Sequence, residues 1–278
     1  MSTSLPETTE HVFDKATRVS AGDSQWSGHT SEDYWAFIGP FGGITAATML
    51  RAIVEHSQRE GDPLALTVNY CAPIAAGPFD LDVRLVKANR STQHWSVELT
   101  QGGETAAFAT AVFAIRRPSW SHRPVSRPEA TPFEDTKRYP KSGFKMTWVN
   151  QYDFRFVEGQ PLFGLAAAPD QLASPYSKLW IGDTRPRRLD ALSLVSISDA
   201  FFARIFHVRN EFVPFGTVSL TTYFHADAED LIAEDASHVL AVADGSVFHK
   251  SYGDQTGALW SPSGKLLATT QQIAYFKA

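Results

Sequence analysis

The sequence predicts an α+β fold built from two similar halves, each a buried helix followed by a run of antiparallel strands. Three observations carry this expectation. Two segments have the apolar spacing of helices covered on most sides, residues 44–57 (ITAATMLRAIVEHS) and residues 189–208 (LDALSLVSISDAFFARIFHV). Each is followed by about four strand-like runs separated by turn signals. The two series also repeat: Leu66-Thr67-Val68 matches Leu220-Thr221-Thr222 at an offset of 154, with Trp95 against Phe248 and Leu99 against Tyr252 at nearly the same spacing. The offset widens by about seven residues at the last strand, where Ala107–Arg116 matches Ala268–Lys277, because of a longer insertion around Trp260. A period this long belongs to a duplicated unit rather than a solenoid.

Taken in order, short strand-like pieces at Val12–Val19 and Tyr34–Ile38 flank the polar stretch Ser20–Ser31. Gly39-Pro40-Phe41-Gly42-Gly43 then leads into the first helix, whose Ile44, Ala47, Met49, Leu50, Ile53 and Val54 are expected to be buried. Strands follow at Leu64–Ala72, Phe79–Ala88, Gln93–Gln101 and Thr105–Arg116, the last two joined by a hairpin at Gly102-Gly103. Residues 117–143 hold five prolines and no apolar periodicity, the pattern of a linker crossing the surface. Phe144–Phe156 alternates like a strand, and Gly159–Asp190 is irregular up to Lys178–Ile181. After the helix at Leu189–Val208 come strands at Thr217–Ala226, Ser237–Ala243, Val247–Tyr252 and Leu266–Lys277, with Asp254–Lys265 assigned to hairpin and loop. The expected organisation is therefore a first unit over 1–116, a linker over 117–143 and a second unit over 144–278. The two sheets can continue edge to edge, which removes exposed edges.

A hydrophobic content of 43% and a charged content of 20% in 278 residues describe a soluble globular chain with a sizeable core. The net charge of −5, with no basic run longer than the pairs Arg116-Arg117 and Arg187-Arg188, argues against nucleic acid as the main partner. A single cysteine, Cys71, excludes an internal disulfide and a cysteine-built zinc site. The polar start MSTSLPETTEHVFDK has the character of neither a signal nor a transit peptide, and no apolar run reaches the roughly 18 residues a membrane helix needs. The cytoplasm is the expected compartment, so the sequon Asn89-Arg90-Ser91 carries no meaning. The nine histidines form no pair at metal spacing, so no metal is expected, and no cofactor motif is present. A nucleophile elbow, a P-loop and a dinucleotide fingerprint are likewise lacking, against serine hydrolases, nucleotide hydrolases and dinucleotide enzymes.

The second helical segment carries the chemical signal. Ser193, Ser196 and Asp199 fall at i, i+3 and i+6, one polar stripe on an otherwise apolar rod. Asp is a poor mid-helix residue, and an unpaired buried carboxylate costs several kcal/mol or gives up its charge. Either an arginine or a backbone amide satisfies Asp199, or the fold uses it. In the last strand, Leu266, Ala268, Thr270, Gln272, Ala274 and Phe276 share one face by period-two counting, so Gln272 is an amide among apolar neighbours. It is suited to fixing a water, or else it satisfies a strand end. At the start of the first helix, Gly42 and Gly43 leave backbone N–H groups open to an anion, or pack tightly on the sheet. By the repeat, Asp199 falls opposite a position near Ala46 and Gln272 opposite Ala111, which predicts one site per chain.

These residues resemble a known family. Phe41-Gly42-Gly43 opening the first helix, Ile197-Ser198-Asp199 in the second, Thr217 eight positions before His225 in TVSLTTYFH, and the closing GALWSPSGKLLATTQQ are similar to the double-hotdog acyl-CoA thioesterases of the bacterial thioesterase II type. The resemblance implies a tandem hotdog, each half a long central helix wrapped by a curved antiparallel sheet. It implies hydrolysis of an acyl-CoA by a water that an Asp, a Thr and a Gln hold and activate, here Asp199, Thr217 and Gln272. The tract TTYFHADAED departs from the Arg-Pro that often follows the His in that group. On the residues alone Thr217 shares a period-two face with Ser219, Thr221, Tyr223 and His225, which also fits a solvated sheet face. Ser219 or Thr221 takes its role if the register is off by a pair. Trp180, Trp260 and Tyr223 are acyl or adenine contacts or simply core; Arg187, Arg188 and Arg204 meet CoA phosphates or water. The resemblance also implies a dimer of double hotdogs. A non-catalytic acyl-CoA or lipid-binding module is the alternative, and an enoyl-CoA hydratase is a further one, although its Gly-Asp-x-Asn-Pro-x-x-His-like stretch is not found.

Overall fold

The computed structural model describes residues 10–22, 25–141, 143–162 and 174–277. Its first half contains α1 (Val12–Ala16), β1 (Val19–Ala21), β2 (Trp26–His29), a 3-10 turn at Glu32–Tyr34, α2 (Gly42–Val54), β3 (Asp62–Tyr70), β4 (Pro78–Ala88), β5 (Thr92–Gln101) and β6 (Glu104–Ala114). The second contains α3 (Trp148–Gln151), β7 (Tyr152–Glu158), β8 (Ser177–Asp183), α4 (Ala191–Ser198), α5 (Arg204–Arg209), β9 (Phe215–Phe224), α6 (Ala228–Glu234), β10 (His238–Asp244), β11 (Phe248–His249), β12 (Tyr252–Trp260) and β13 (Leu266–Phe276). Among the described residues all strand pairs are antiparallel, and they form one 13-stranded sheet.

The sheet is continuous because β3 of the first half pairs with β9 of the second. Thr67 stands opposite Thr221 at the middle of this junction, their hydroxyls 3.0 Å apart. Outward from it the order runs β3-β6-β5-β4-β2 on one side and β9-β13-β12-β10-β8 on the other, one arrangement repeated about the junction. The offset that matched these two strands in the sequence is thus the register of the join.

Helices α2 and α4 touch each other, α2 lying over β3, β4 and β5 and α4 over β9, β12 and β13. The 13-residue α2 is buried almost all round, as its composition requires. It meets α4 at Gly43, where a Cβ would fall 2.5 Å from the Ser196 carbonyl oxygen and 2.5 Å from the Phe41 ring. Glycine is therefore the residue that allows this approach. Phe41 stacks in turn on Trp148, centroids 4.4 Å apart, and so ties the entry of α2 to α3.

Several local expectations change. The single helix over Leu189–Val208 is instead an eight-residue α4 ending at Asp199, a break, and a six-residue α5. Val12–Val19 is mostly helical, because Phe13 and Ala16, three apart, are the residues buried and the His11 side chain caps the first turn. Tyr34–Ile38 contributes a turn and one isolated bridge, Trp35 to Pro40, rather than a strand. The alternation in Phe144–Phe156 conceals α3 before β7 begins. Asp254–Lys265 is mostly β12, which stands in the place of β5, while β11 is a two-residue spur; the matching of Trp95 with Phe248 is thereby displaced. The HADAED tract holds α6, closed by a capping box between Asp227 and Asp230. The described part of 117–143 has neither helix nor strand, but it is pinned: Arg123 donates to the Gly264 carbonyl at 2.8 Å, and the Trp180 indole donates to the Thr131 carbonyl at 2.8 Å. Residues 1–9, to which most of the leader expectation applied, and 163–173 lie outside the described residues.

Gly43→Ala is expected to lower unfolding stability by about 1–3 kcal/mol in urea titrations, as overpacking at a backbone contact does. An unchanged midpoint would mean that the helices do not meet this closely.

Candidate active site

Asp199 is the residue at which α4 ends. Its backbone (φ −102°, ψ −6°) leaves the helix, and its N–H closes a short turn to the Ser196 carbonyl at 3.2 Å. Nothing in SLVSISDAFFARIF is a glycine or proline breaker; the carboxylate is held by partners outside its own helix. Oδ1 accepts from Gln272 Nε2 at 2.5 Å and from Thr217 Oγ1 at 3.3 Å, and Gln272 Nε2 also lies 2.8 Å from Thr217 Oγ1. The backbone N–H of Gly43 donates to the same carboxylate. The N-terminus of α2 thus faces an anion supplied by the other half of the chain. Gly42 makes room for it, since a Cβ there would fall 2.7 Å from Asp199 Oδ2.

The stripe read from the sequence is divided among separate partners. Ser193 bonds with Asp190 and Arg187, Ser196 lies 2.7 Å from the Tyr152 hydroxyl, and only Asp199 faces Gln272. Tyr70, at the end of β3, donates to the Gly42 carbonyl at 2.7 Å and fixes the first turn of α2. Burial, helped by the charge of Asp199, raises its phenol well above the ordinary value, so it stays a donor. Its position at the end of LTVNY gives no sequence signal for this contact.

Thr217 reaches the carboxylate through an irregularity. Gln272 pairs with Leu220 and Ile273 with Ser219, but Ala274 pairs with Thr217, so Val218 is the extra residue of a β-bulge. The bulge shifts the parity of β9 and puts Thr217 on the face of Leu220, Thr222 and Phe224. Ser219 and Thr221 are left on the other face, the latter against Thr67, so neither replaces it.

Burial is the main influence on Asp199, which is 8% exposed, and pushes its pKa up to about 7. The bonds from Gln272, Thr217 and Gly43 pull the other way without cancelling it. The arrangement is a desolvated carboxylate poised near neutrality, held by an amide and a hydroxyl, with one oxygen facing a side-chain-free helix start. It can accept a proton from a water positioned there. Beside it, α5, β12 and β13 line a narrow crevice that includes Gln272 and has about 20 Å³ of free volume, room for roughly one water.

The other sequence candidates are placed elsewhere. Arg187 binds Asp14 and Asp190 behind α4, and Arg188 is exposed near Asp235. Trp180 and Trp260 pack with Leu240 in a separate small core, and Tyr223 faces outward. Arg204 is buried rather than solvated. By the repeat offset a position near Ala46 falls in the place of Asp199, and pairing with Leu66 puts Ala111 in the place of Gln272. Both are apolar. Among the described residues no group of three or more His, Cys, Asp or Glu is placed to hold a metal, and no helix is long and apolar enough to cross a membrane.

Family models match both halves, that of the acyl-CoA thioesterase N-terminal domain over residues 31–114 and that of the C-terminal domain over residues 122–276. The chain belongs to the acyl-CoA thioesterase family. It is accordingly a thioester hydrolase. Among solved structures, a conserved protein of unknown function with the hot dog fold from Alicyclobacillus acidocaldarius is 40% identical, with a TM-score of 0.91 over 97% of this chain and 99% of that one. An acyl-CoA thioesterase II from Mycobacterium marinum is 18% identical, with a TM-score of 0.74 over 95% of this chain and 98% of that one, a likeness of fold. A search of the curated proteins found no match.

The raised pKa of this thioesterase carboxylate has a thermodynamic consequence. Between about pH 4 and 7 the folded chain keeps a proton on Asp199 that the unfolded chain has released, so stability falls as pH rises toward 7. Asp183, which burial also raises to about 7, adds the same slope. Asp199→Asn removes its share. Its unfolding free energy relative to wild type is expected to be greater at pH 8 than at pH 5 by about 2 kcal/mol, measured by urea unfolding at both. No difference between the two pH values would mean an ordinary carboxylate.

Proposed function

We propose that the chain hydrolyses an acyl-CoA thioester with Asp199 as general base and Gln272 and Thr217 as the residues that hold the carboxylate and the attacking water. The observation that carries this reading is the three-way contact of Asp199, Gln272 and Thr217, drawn from a helix end and two strands, with the carboxyl poised at about 7. The tandem hotdog supports it, its halves being 1–116 and 144–278 about the 117–143 linker and its helices being α2 and the shorter α4. Only the second half contributes the acid, the hydroxyl and the amide.

In the proposed reaction a water oxygen attacks the thioester carbonyl carbon while Asp199 takes its proton. The resulting oxyanion is stabilised by the positive end of the α2 dipole, with Gly42 and Gly43 in its first turn forming the substrate-side wall. The tetrahedral centre collapses, the carbon–sulfur bond breaks, and the sulfur recovers the proton from Asp199 as CoA thiol. No metal or cofactor takes part in any step. Family likeness supports a cytoplasmic protein that pairs into a dimer of double hotdogs.

Thiol release should be measured across short, medium, long and aromatic acyl-CoA esters. Asp199→Asn and Gln272→Leu are each expected to lower kcat by roughly a hundredfold to ten-thousandfold, the span of acid–base contributions, with the fold retained by circular dichroism. Thiol release undiminished in folded Asp199→Asn would defeat the assignment. The base acts unprotonated, so kcat/KM should fall about tenfold per pH unit below about 7 and level off above it. A flat profile between pH 5 and 8 would exclude Asp199 as that base.

A further inference from the structure

The phenol of Tyr70, the last residue of β3, packs against the first turn of α2, and its hydroxyl donates to the Gly42 carbonyl oxygen at 2.7 Å. A phenol among apolar neighbours takes whatever acceptor lies near, but this one grips a particular peptide. The Gly42 carbonyl and the Gly43 N–H belong to one planar unit, and that N–H donates to Asp199. A single peptide therefore joins the hydroxyl to the carboxylate. Gly42 keeps both close, since a Cβ there would fall 3.3 Å from the Tyr70 hydroxyl oxygen and 2.7 Å from Asp199 Oδ2. The repeat adds an independent sign. The spacing that matches Leu66 with Leu220 matches Tyr70 with Phe224, and the sheet agrees, Tyr70 pairing with Ala107 as Phe224 pairs with Ala268. Phe224 is buried without a hydroxyl, so a bare ring can fill this place in the fold. The hydroxyl stands in the half whose helix start meets the acid, and not in the other.

We propose that Tyr70 is a positioning residue of this thioesterase, holding and polarising the Gly42–Gly43 peptide so that its N–H supports the ionised form of Asp199. The inference rests on the reading above for its part in turnover, and on the geometry alone for its hold on the carboxylate. Donation into a carbonyl polarises the peptide, makes its N–H a stronger donor and fixes the plane that aims it. An N–H bond to a carboxylate favours the anion, so loss of the hydroxyl favours the neutral acid. The bonds that oppose burial at Asp199 come from Gln272 of β13, Thr217 of β9 and Gly43 of α2, none of them charged. On the elements packed against α4, Arg51 of α2 is taken by Asp14 and Glu55, and Asp254 of β12 by the N–H groups of Ser246 and Val247. β9, β13 and α4 itself carry no acid or base, and Tyr223, Tyr252 and Tyr275 are exposed. Arg204 of α5 is held by the Pro175 and Phe202 carbonyls and Ser177 Oγ. The phenols of Tyr70 and Tyr152 stay neutral, both raised well above the ordinary value by burial.

The test compares the full chain with Tyr70→Phe, the ring that the repeat itself carries, by two measurements. In the first, kcat/KM for thiol release from the best acyl-CoA ester is followed between about pH 5 and 9. The midpoint of the acid limb should rise by about half a unit to one unit, so that the variant loses roughly three- to tenfold at pH 6 and keeps most of its rate at pH 9. In the second, an NMR titration with isotope-labelled glycine follows the Gly43 amide over the same range without substrate. Its shift should titrate with Asp199, and its midpoint should rise by the same amount in Tyr70→Phe. Site-specific 3-fluorotyrosine in place of Tyr70, a stronger donor of the same shape, should lower both midpoints and serves where Tyr70→Phe fails to fold. A loss equal at every pH, an unmoved midpoint or a shift in the opposite direction overturns this inference and leaves the thioesterase reading standing. Absence of thiol release from every ester in wild type overturns that reading. A raised Gly43 midpoint in Tyr70→Phe then still supports the hold on the carboxylate, and an unmoved one overturns it.

Discussion

The structure depends on one carboxylate being held out of water between two halves of the chain. Asp199 ends α4 in the second half and accepts the Gly43 N–H at the start of α2 in the first. This contact lies where α4 stops and where the two helices approach, and the carboxylate occupies the space a side chain at position 42 would need. Tyr70 secures the same turn from the sheet by donating to Gly42. A second contact of the same acid, to Gln272 and Thr217, ties the helix pair to β13 and β9.

The balance at this carboxylate is between burial, which favours the neutral acid, and three hydrogen bonds, which favour the anion. Burial prevails by a margin that leaves the group near its midpoint at neutral pH. Fuller hydrogen bonding would give an ordinary, inert carboxylate, while deeper burial without these partners would hold the proton too firmly to act as a base. Arg187 shows the other outcome: its charge is consumed by Asp14 and Asp190, and it serves to pin α1 against the start of α4.

The symmetry of the sheet and the asymmetry of its chemistry have a common origin in the repeat. The β3–β9 junction sets corresponding strands side by side, but by the repeat the positions corresponding to Asp199 and Gln272 fall near Ala46 and at Ala111. These are core residues of the first half, buried where the second half holds polar groups. A duplicated scaffold can thus supply helix dipole and packing from one half and reactive side chains from the other.

Much of this was legible in the sequence because burial leaves periodic traces. Two apolar helical segments, two strand series at one offset, and an acid and an amide in otherwise apolar surroundings are local patterns. They determined the α+β class, the duplication, the edge-to-edge sheet and the candidacy of Asp199 and Gln272. Only the tertiary structure decided the rest, since each remaining feature results from contacts distant in the chain. The break after Asp199 has no breaker residue, because the force that ends the helix comes from Gly43, Thr217 and Gln272. The inward turn of Thr217 comes from a bulge at Val218, which period-two counting cannot register. Tyr70 gains its partner only when β3 packs against the start of α2, because hydrogen-bond satisfaction is a property of the packed chain and not of any segment of it.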